Sequence, residues 1–125
     1  MTDSSTTLSF SDANGGGAFV ETGSLGIISS TMTTNSATEN GGDVYLVDGT
    51  LTISSDTTFD DATAVFGGSI YQQGGSTTIT DSIVSRTSST NSGGIYIDAG
   101  DFTAGTTTFE QMTASQDGGC VYTRS

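Results

Sequence analysis

The stretch GGDVYLVDGTLTISSDTTF, Gly41 to Phe59, is echoed 26 residues downstream as GGSIYQQGGSTTITDSI, Gly67 to Ile83. A fixed period of this length constrains the fold more than composition does, because every unit must bury its apolar face against the next one. An aromatic marks the period at Phe19, Tyr45, Tyr71, Tyr96 and Tyr122, with intervals of 26, 26, 25 and 26 residues. Before each stands a small-residue turn: Gly15-Gly16, Gly41-Gly42, Gly67-Gly68, Gly93-Gly94 and Gly118-Gly119. A second apolar pair follows at Leu25/Ile27, Leu51/Ile53, Thr77/Ile79 and Phe102/Ala104, and a third apolar column reads Leu8, Met32, Phe59, Ile83 and Phe109. Each unit therefore carries three short segments.

Within the segments apolar and polar residues alternate, as in Val44-Tyr45-Leu46 and Leu51-Thr52-Ile53, which is the period of a half-buried strand. Lys and Pro are absent, while β-branched residues and glycine abound, so helical repeats of similar length fit badly. The leucine-rich-repeat signature and the Gly-Asp nonapeptide of calcium β-rolls are both missing. The pattern predicts an all-β, single-stranded, right-handed parallel β-helix, a β-solenoid of about 4.5 to 5 coils with three short strands per coil. One domain spans 1–125, with coils near 15–40, 41–66, 67–91 and 92–117 and partial coils at 1–14 and 118–125. Like residues then stack along the axis, and two inward columns are expected: Ala18, Val44, Ile70, Ile95, Val121 and Val20, Leu46, Gln72, Ile97, Thr123.

The GG-x-[IV]-Y motif, followed by a G-x-L-T-I strand and an S/T-[FMI] strand, resembles the repeats of chlamydial polymorphic outer-membrane proteins and related autotransporter passenger domains. Their GGAI signature has counterparts in GGSIY, Gly67 to Tyr71, and GGIY, Gly93 to Tyr96; their FxxN signature has one in MTTN, Met32 to Asn35. Elsewhere the second motif reads FDDA, IVSR and FEQM, so no continuous asparagine ladder is expected. The resemblance covers essentially the whole chain and implies a surface-exposed β-helix.

A net charge of -12, with Arg86 and Arg124 as the only basic residues, speaks against nucleic acid and anionic membrane as partners, since phosphate is bound through Lys and Arg. No apolar run is long enough for a membrane-spanning helix, and the opening MTDSSTTLSF is not built like a signal peptide. Cys120 is alone and cannot form an internal disulfide. Histidine and lysine are lacking and the acidic residues do not form a shared column, since Asp48 is otherwise matched by Thr22, Gly74 and Ala99. The polysaccharide lyase or glycosidase chemistry hosted by other parallel β-helices is therefore not expected, and neither is a cofactor. Asp60-Asp61 and Asp98/Asp101 read as solvated loop charges, with a calcium contact as the alternative.

Two outward features are candidate binding surfaces. The column Phe19, Tyr45, Tyr71, Tyr96, Tyr122 would be an exposed aromatic ladder, either self-stacked packing or a stripe for glycan or protein contact. The column Thr7, Thr31, Thr58, Ser82, Thr108, flanked by Ser5, Ser29, Asp56, Thr80, Thr106, is a hydroxyl array similar to the ice-binding faces of β-solenoid antifreeze proteins. Outward Thr is also simply a good strand former. Neither end of the repeat carries a recognisable cap. The expected protein is thus a non-catalytic, extracellular or cell-surface structural or adhesive solenoid that joins further coils of a longer array or stacks end to end on its own copies. Ice binding is the alternative, and a polysaccharide-binding or polysaccharide-degrading β-helix a remote one.

Overall fold

The computed structural model describes Ser5–Thr7, Phe10–Ser11 and residues 14–124. Among these residues all regular structure is β, and every strand pair is parallel. The chain is a β-solenoid. Its first sheet stacks Ala18–Val20, Val44–Leu46, Ile70–Gln72, Ile95–Ile97 and Val121–Thr123. The second stacks Ser24–Ile28, Thr50–Ser54, Ser76–Ile79 and Asp101–Ala104. The third stacks Ser5–Thr7, Thr31–Thr33, Thr57–Asp60, Ser82–Ser85 and Thr107–Glu110. To the three expected segments each coil adds a short fourth, in a sheet of Phe10–Ser11, Ser36–Ala37, Thr63–Phe66, Ser88–Asn91 and Thr113–Ala114.

Sequence alternation becomes the inside and outside of the tube. Val44, Ile70 and Ile95 stack directly, as do Leu46, Gln72 and Ile97, and both files face inward as the spacing required. Leu51 and Ile53 of the second sheet and Met32 and Phe59 of the third close the core with no solvent exposure. Because stacked coils offer equivalent positions to one another, a short apolar list repeated in register fills the tube despite a hydrophobic content of only 32%.

The third column departs from the expectation at Ile83. Phe59 pairs with Val84 and Val84 with Phe109, so Val84 fills the inward position while Ile83, paired with Thr58 and Thr108, is 41% exposed. The cause lies one corner upstream. Between the aligned residues Ile53 and Thr58 the chain holds one residue more than between Ile27 and Thr31 or between Ile79 and Ile83. It is absorbed where Ser55 and Asp56 are both left-handed, at φ 57° and 60°. A slip of one residue exchanges the faces of a strand, so the extra residue moves both an apolar and a hydroxyl position. Leu8, expected at the head of this column, lies outside the described residues, and it is Thr6 whose backbone pairs with Met32.

Three of the four corners share one device in each coil, a left-handed residue that redirects the chain. It is Gly15, Gly41, Gly67, Ser92 and Gly118 before the first sheet, and Gly23, Gly49, Gly75 and Gly100 before the second. Between the third and fourth sheets it is Thr34, Asp61, Arg86 and Gln111, none of them glycine. The corner between the second and third sheets has it at Ser29, Ser55 with Asp56, and Asp81, but not between Ala104 and Thr107. At Gly41, φ is 61° and an added Cβ would sit 2.0 Å from the Val44 carbonyl oxygen, so a side chain meets both backbone strain and a collision. At Gly23 the strain exists without the collision, since nothing lies within 4 Å. Gly23→Ala is expected to cost about 1–2 kcal/mol, the left-handed penalty alone. Gly41→Ala should cost clearly more in the same urea titration, and equal losses would mean that the corner is not close-packed.

Candidate functional site

The aromatic column is formed as the spacing predicts. Phe19 pairs in register with Tyr45, Tyr45 with Tyr71, Tyr71 with Tyr96 and Tyr96 with Tyr122. Successive rings stack with centroids 5.3, 5.2, 5.1 and 4.9 Å apart and interplanar angles of 8° to 25°. The column is nevertheless far less exposed than expected. Phe19 is 53% exposed, but Tyr45 and Tyr96 keep only 8% each, and Tyr71 and Tyr122 are half-buried. Stacking at the coil spacing covers both faces of each inner ring, and Phe66 closes edge-on against Tyr71 and Tyr96. The Tyr45 hydroxyl donates to Gln73 Oε1. Desolvation, with the nearby Asp98 charge adding to it, pushes the Tyr71 phenol up to about 12. A sugar stacks on the face of a ring, and the inner members of this ladder offer only edges.

The hydroxyl column is rearranged by the Ile83 shift. The outward file reads Thr31, Thr58, Ile83, Thr108, so an apolar side chain interrupts it, and in the strand before it the backbone of Ser5 pairs with Thr31 and that of Thr7 with Thr33. The flanking file changes too: the Asp56 N–H donates to the Asp81 carbonyl, which puts two aspartates where Asp56 and Thr80 had been expected. Asp56, Thr58, Asp81, Ile83, Thr106 and Thr108 share an open depression with Ser82. Among the described residues no three His, Cys, Asp or Glu side chains converge as metal ligands would.

Ser82 itself turns inward and belongs to a different ladder that the outward reading concealed. Ser30, Thr57 and Ser82 are buried, and Thr107 is half-buried. Each spends its hydroxyl on backbone carbonyls at the second corner: Ser30 Oγ on Ile28 (2.7 Å), Thr57 Oγ1 on Ser54 (2.7 Å) and Ile27 (3.2 Å), Ser82 Oγ on Thr80 (2.7 Å), and Thr107 Oγ1 on Ile79 (3.3 Å). The Ser54 and Ile79 carbonyls also accept a backbone N–H from the neighbouring coil, Ser29 and Gly105 respectively, so the hydroxyls add side-chain bonds that tie the corner together and satisfy their own buried polar groups.

The core also holds one carboxyl that sequence reasoning passed over. Asp43 has no solvent exposure; its Oδ1 accepts from Asn35 Nδ2 and its Oδ2 from Ser69 Oγ, both at 2.8 Å. Burial, only partly offset by these two hydrogen bonds, raises its pKa to about 7. The backbone ladder places Asp43 in a file with Gly17, Ser69, Gly94 and Cys120, so the legible signal was an acid standing in a column of small residues. Asn35 is the asparagine of the MTTN motif; the same file continues as Ala62, Thr87 and Met112, and the counterpart of FDDA and FEQM in the intervening coil is Val84 to Thr87. Asp43 faces the core and does not line the depression around Asp56 and Asp81.

The only two cations in the sequence are spent on ion pairs between coils. Arg86 bonds both carboxylate oxygens of Asp60, whose Oδ1 also accepts from Ser85 Oγ, and Arg124 Nη1 reaches Asp98 Oδ1 at 3.2 Å. Arg86 holds the Asp60 carboxyl below the usual carboxylate range. Compared with family models, curated proteins and solved structures, the chain matches none.

Two outcomes follow for the polar core. The folded state keeps the Asp43 proton up to about pH 7 whereas the unfolded chain releases it near 3.8, so between these values the native state binds the extra proton. The Asp43 contribution is therefore fully favourable below about pH 4 and is lost as pH rises, by up to about 4 kcal/mol at neutrality. Asp43→Asn keeps an acceptor for the Asn35 amide and offers the Ser69 hydroxyl a donor in place of the carboxyl oxygen it donates to, and the stability difference between variant and parent should grow from pH 4 to 7; a flat difference would contradict the buried ionisation. Thr77 Oγ1 is buried with no partner, so Thr77→Val should stabilise the protein by about 1–2 kcal/mol in chemical denaturation.

Proposed function

We propose that this protein is a non-catalytic structural β-solenoid of the cell surface or extracellular space, whose coils continue onto further coils, those of a second copy or of a longer array. The observation that carries this reading is the register of the stack: each coil offers its neighbour the same inward files and the same parallel ladder, as in Val44, Ile70, Ile95 and in Leu46, Gln72, Ile97. Leu51, Ala62, Val84 and Ile95 are wholly buried, whereas Phe102, Met112, Phe109 and Val121, further along the same inward files, are half-buried. Beside them run the ladder edges of Asp101–Ala104, Thr107–Glu110, Thr113–Ala114 and Val121–Thr123, backbone that an incoming coil can pair with in register. Open strand edges next to apolar side chains favour coil addition. Sideways association is opposed by the acidic surface, which leaves stacking along the axis as the favoured contact.

The aromatic ladder supports a structural use over an adhesive one, because its rings are paired with each other. The resemblance of the GG-x-[IV]-Y repeats to autotransporter passenger domains supports placement outside the cell.

Electron microscopy of the purified chain over a concentration and salt series tests the stacking. Fibres with an axial repeat of whole coils, at about 4.8 Å per coil, are expected to lengthen with concentration and with screening of the net charge. Phe109→Asp places a charge on the half-buried edge and should shorten them while strand content by circular dichroism persists. Single particles at every concentration and salt would overturn self-stacking.

A further inference from the structure

The Gly-rich corner before the aromatic sheet needs a left-handed residue, and in two successive coils an asparagine precedes it: Asn14-Gly15 and Asn40-Gly41. Asparagine followed by glycine is the pair with the least steric hindrance to cyclisation, since the glycine nitrogen carries no neighbouring side chain to block its approach. In the folded chain that nitrogen is occupied. The Gly41 N–H donates to the Phe66 carbonyl at 2.9 Å, and the Gly15 N–H to the Asn40 carbonyl at 2.8 Å, both as rungs between coils. The side chain is held as well, because Asn40 Nδ2 donates to Asn14 Oδ1 at 2.6 Å. Gly41 is buried, with φ fixed at 61°.

We infer that Asn40-Gly41 is a latent deamidation site, silent in the wound solenoid and released when the coil opens, and that its conversion bars the chain from rewinding. In the open chain the Gly41 backbone nitrogen attacks the Asn40 side-chain carbonyl carbon. The new C–N bond forms as the side-chain amide leaves as ammonia, which carries away the Gly41 amide proton. Water then opens the succinimide at either carbonyl, giving aspartate or isoaspartate. Aspartate removes the donor that Asn14 Oδ1 accepts from. Isoaspartate adds a methylene to the backbone at a corner where a single added carbon on Gly41 would already lie 2.0 Å from the Val44 oxygen and 3.1 Å from the Tyr71 nitrogen. The next coil has Phe66 at the position of Asn40, so the corner accepts other side chains and the amide is not demanded by the turn itself.

The test incubates the full chain at pH 8 in two arms, folded buffer and the same buffer with guanidinium chloride. Fragment mass spectrometry that separates isoaspartate from aspartate follows Asn40. Conversion at Asn40 should be more than about tenfold slower in the folded arm, because it has to wait for local opening. After ageing in denaturant and dilution, refolding by circular dichroism should fall in step with isoaspartate at position 40. The double variant Asn14→Ser, Asn40→Ser, aged in the same way, should refold as fully as fresh protein. Comparable conversion rates in the two arms would overturn the protection, and a variant losing refolding as fast as the parent would overturn the causal role of the modification.

Discussion

Everything in this solenoid depends on corners that turn alike in each coil. Parallel strands pair at about 4.8 Å with their equivalents one coil away, so a corner that bent differently would throw all later columns out of alignment. At three of the four corners a single left-handed residue in each coil solves this with little bulk. Near Ser55 and Asp56 an extra residue is taken up as a second left-handed position, and Thr57–Asp60 still pairs in register on both sides; along the fourth sheet Ser36 to Asn40 likewise holds one residue more than Thr63 to Phe66. The third sheet tolerates no such adjustment within its strands, because a slip of one residue would turn Phe59 or Val84 out to water.

Corners also explain the polar interior. The file Ser30, Thr57, Ser82, Thr107 ties the second corner together through hydroxyls bonded to backbone carbonyls. The abundance of Ser and Thr that looks, in composition, like a shortage of core material is partly the material of the core's own corners. Asp43, Asn35 and Ser69 are a variation on the same theme at another corner, with a carboxyl in place of a small residue. That substitution carries a titratable group into the interior and makes the stability of this one coil depend on pH.

The outer surface is organised by the same repetition. Rings that recur once per coil must stack on one another, and arginines that recur near aspartates one coil away pair with them. Both effects turn side chains toward their own copies along the axis and away from partners approaching from the side. A structure that satisfies its residues lengthwise favours contacts along its axis over contacts from the side, which links the packing of the tyrosines to the proposed stacking.

The repeat alone determined that this chain winds into a parallel solenoid, because aromatics 25 or 26 residues apart, behind paired glycines, can share a surface only if each interval closes one turn. It also located the first two strands and their inward files. The fourth strand was not legible: Ser36–Ala37 and Ser88–Asn91 carry no alternation, and their pairing follows from the strands on either side. The corners at Thr34, Asp61, Arg86 and Gln111 were hidden for a related reason, since no glycine marks them and their left-handed geometry is imposed by the coils above and below. Only the tertiary structure decided between Ile83 and Val84, or between an outward and an inward Ser82. Adjacent apolar residues and scattered hydroxyls leave the phase of a strand open, and register against neighbouring coils is what settles which side faces the core.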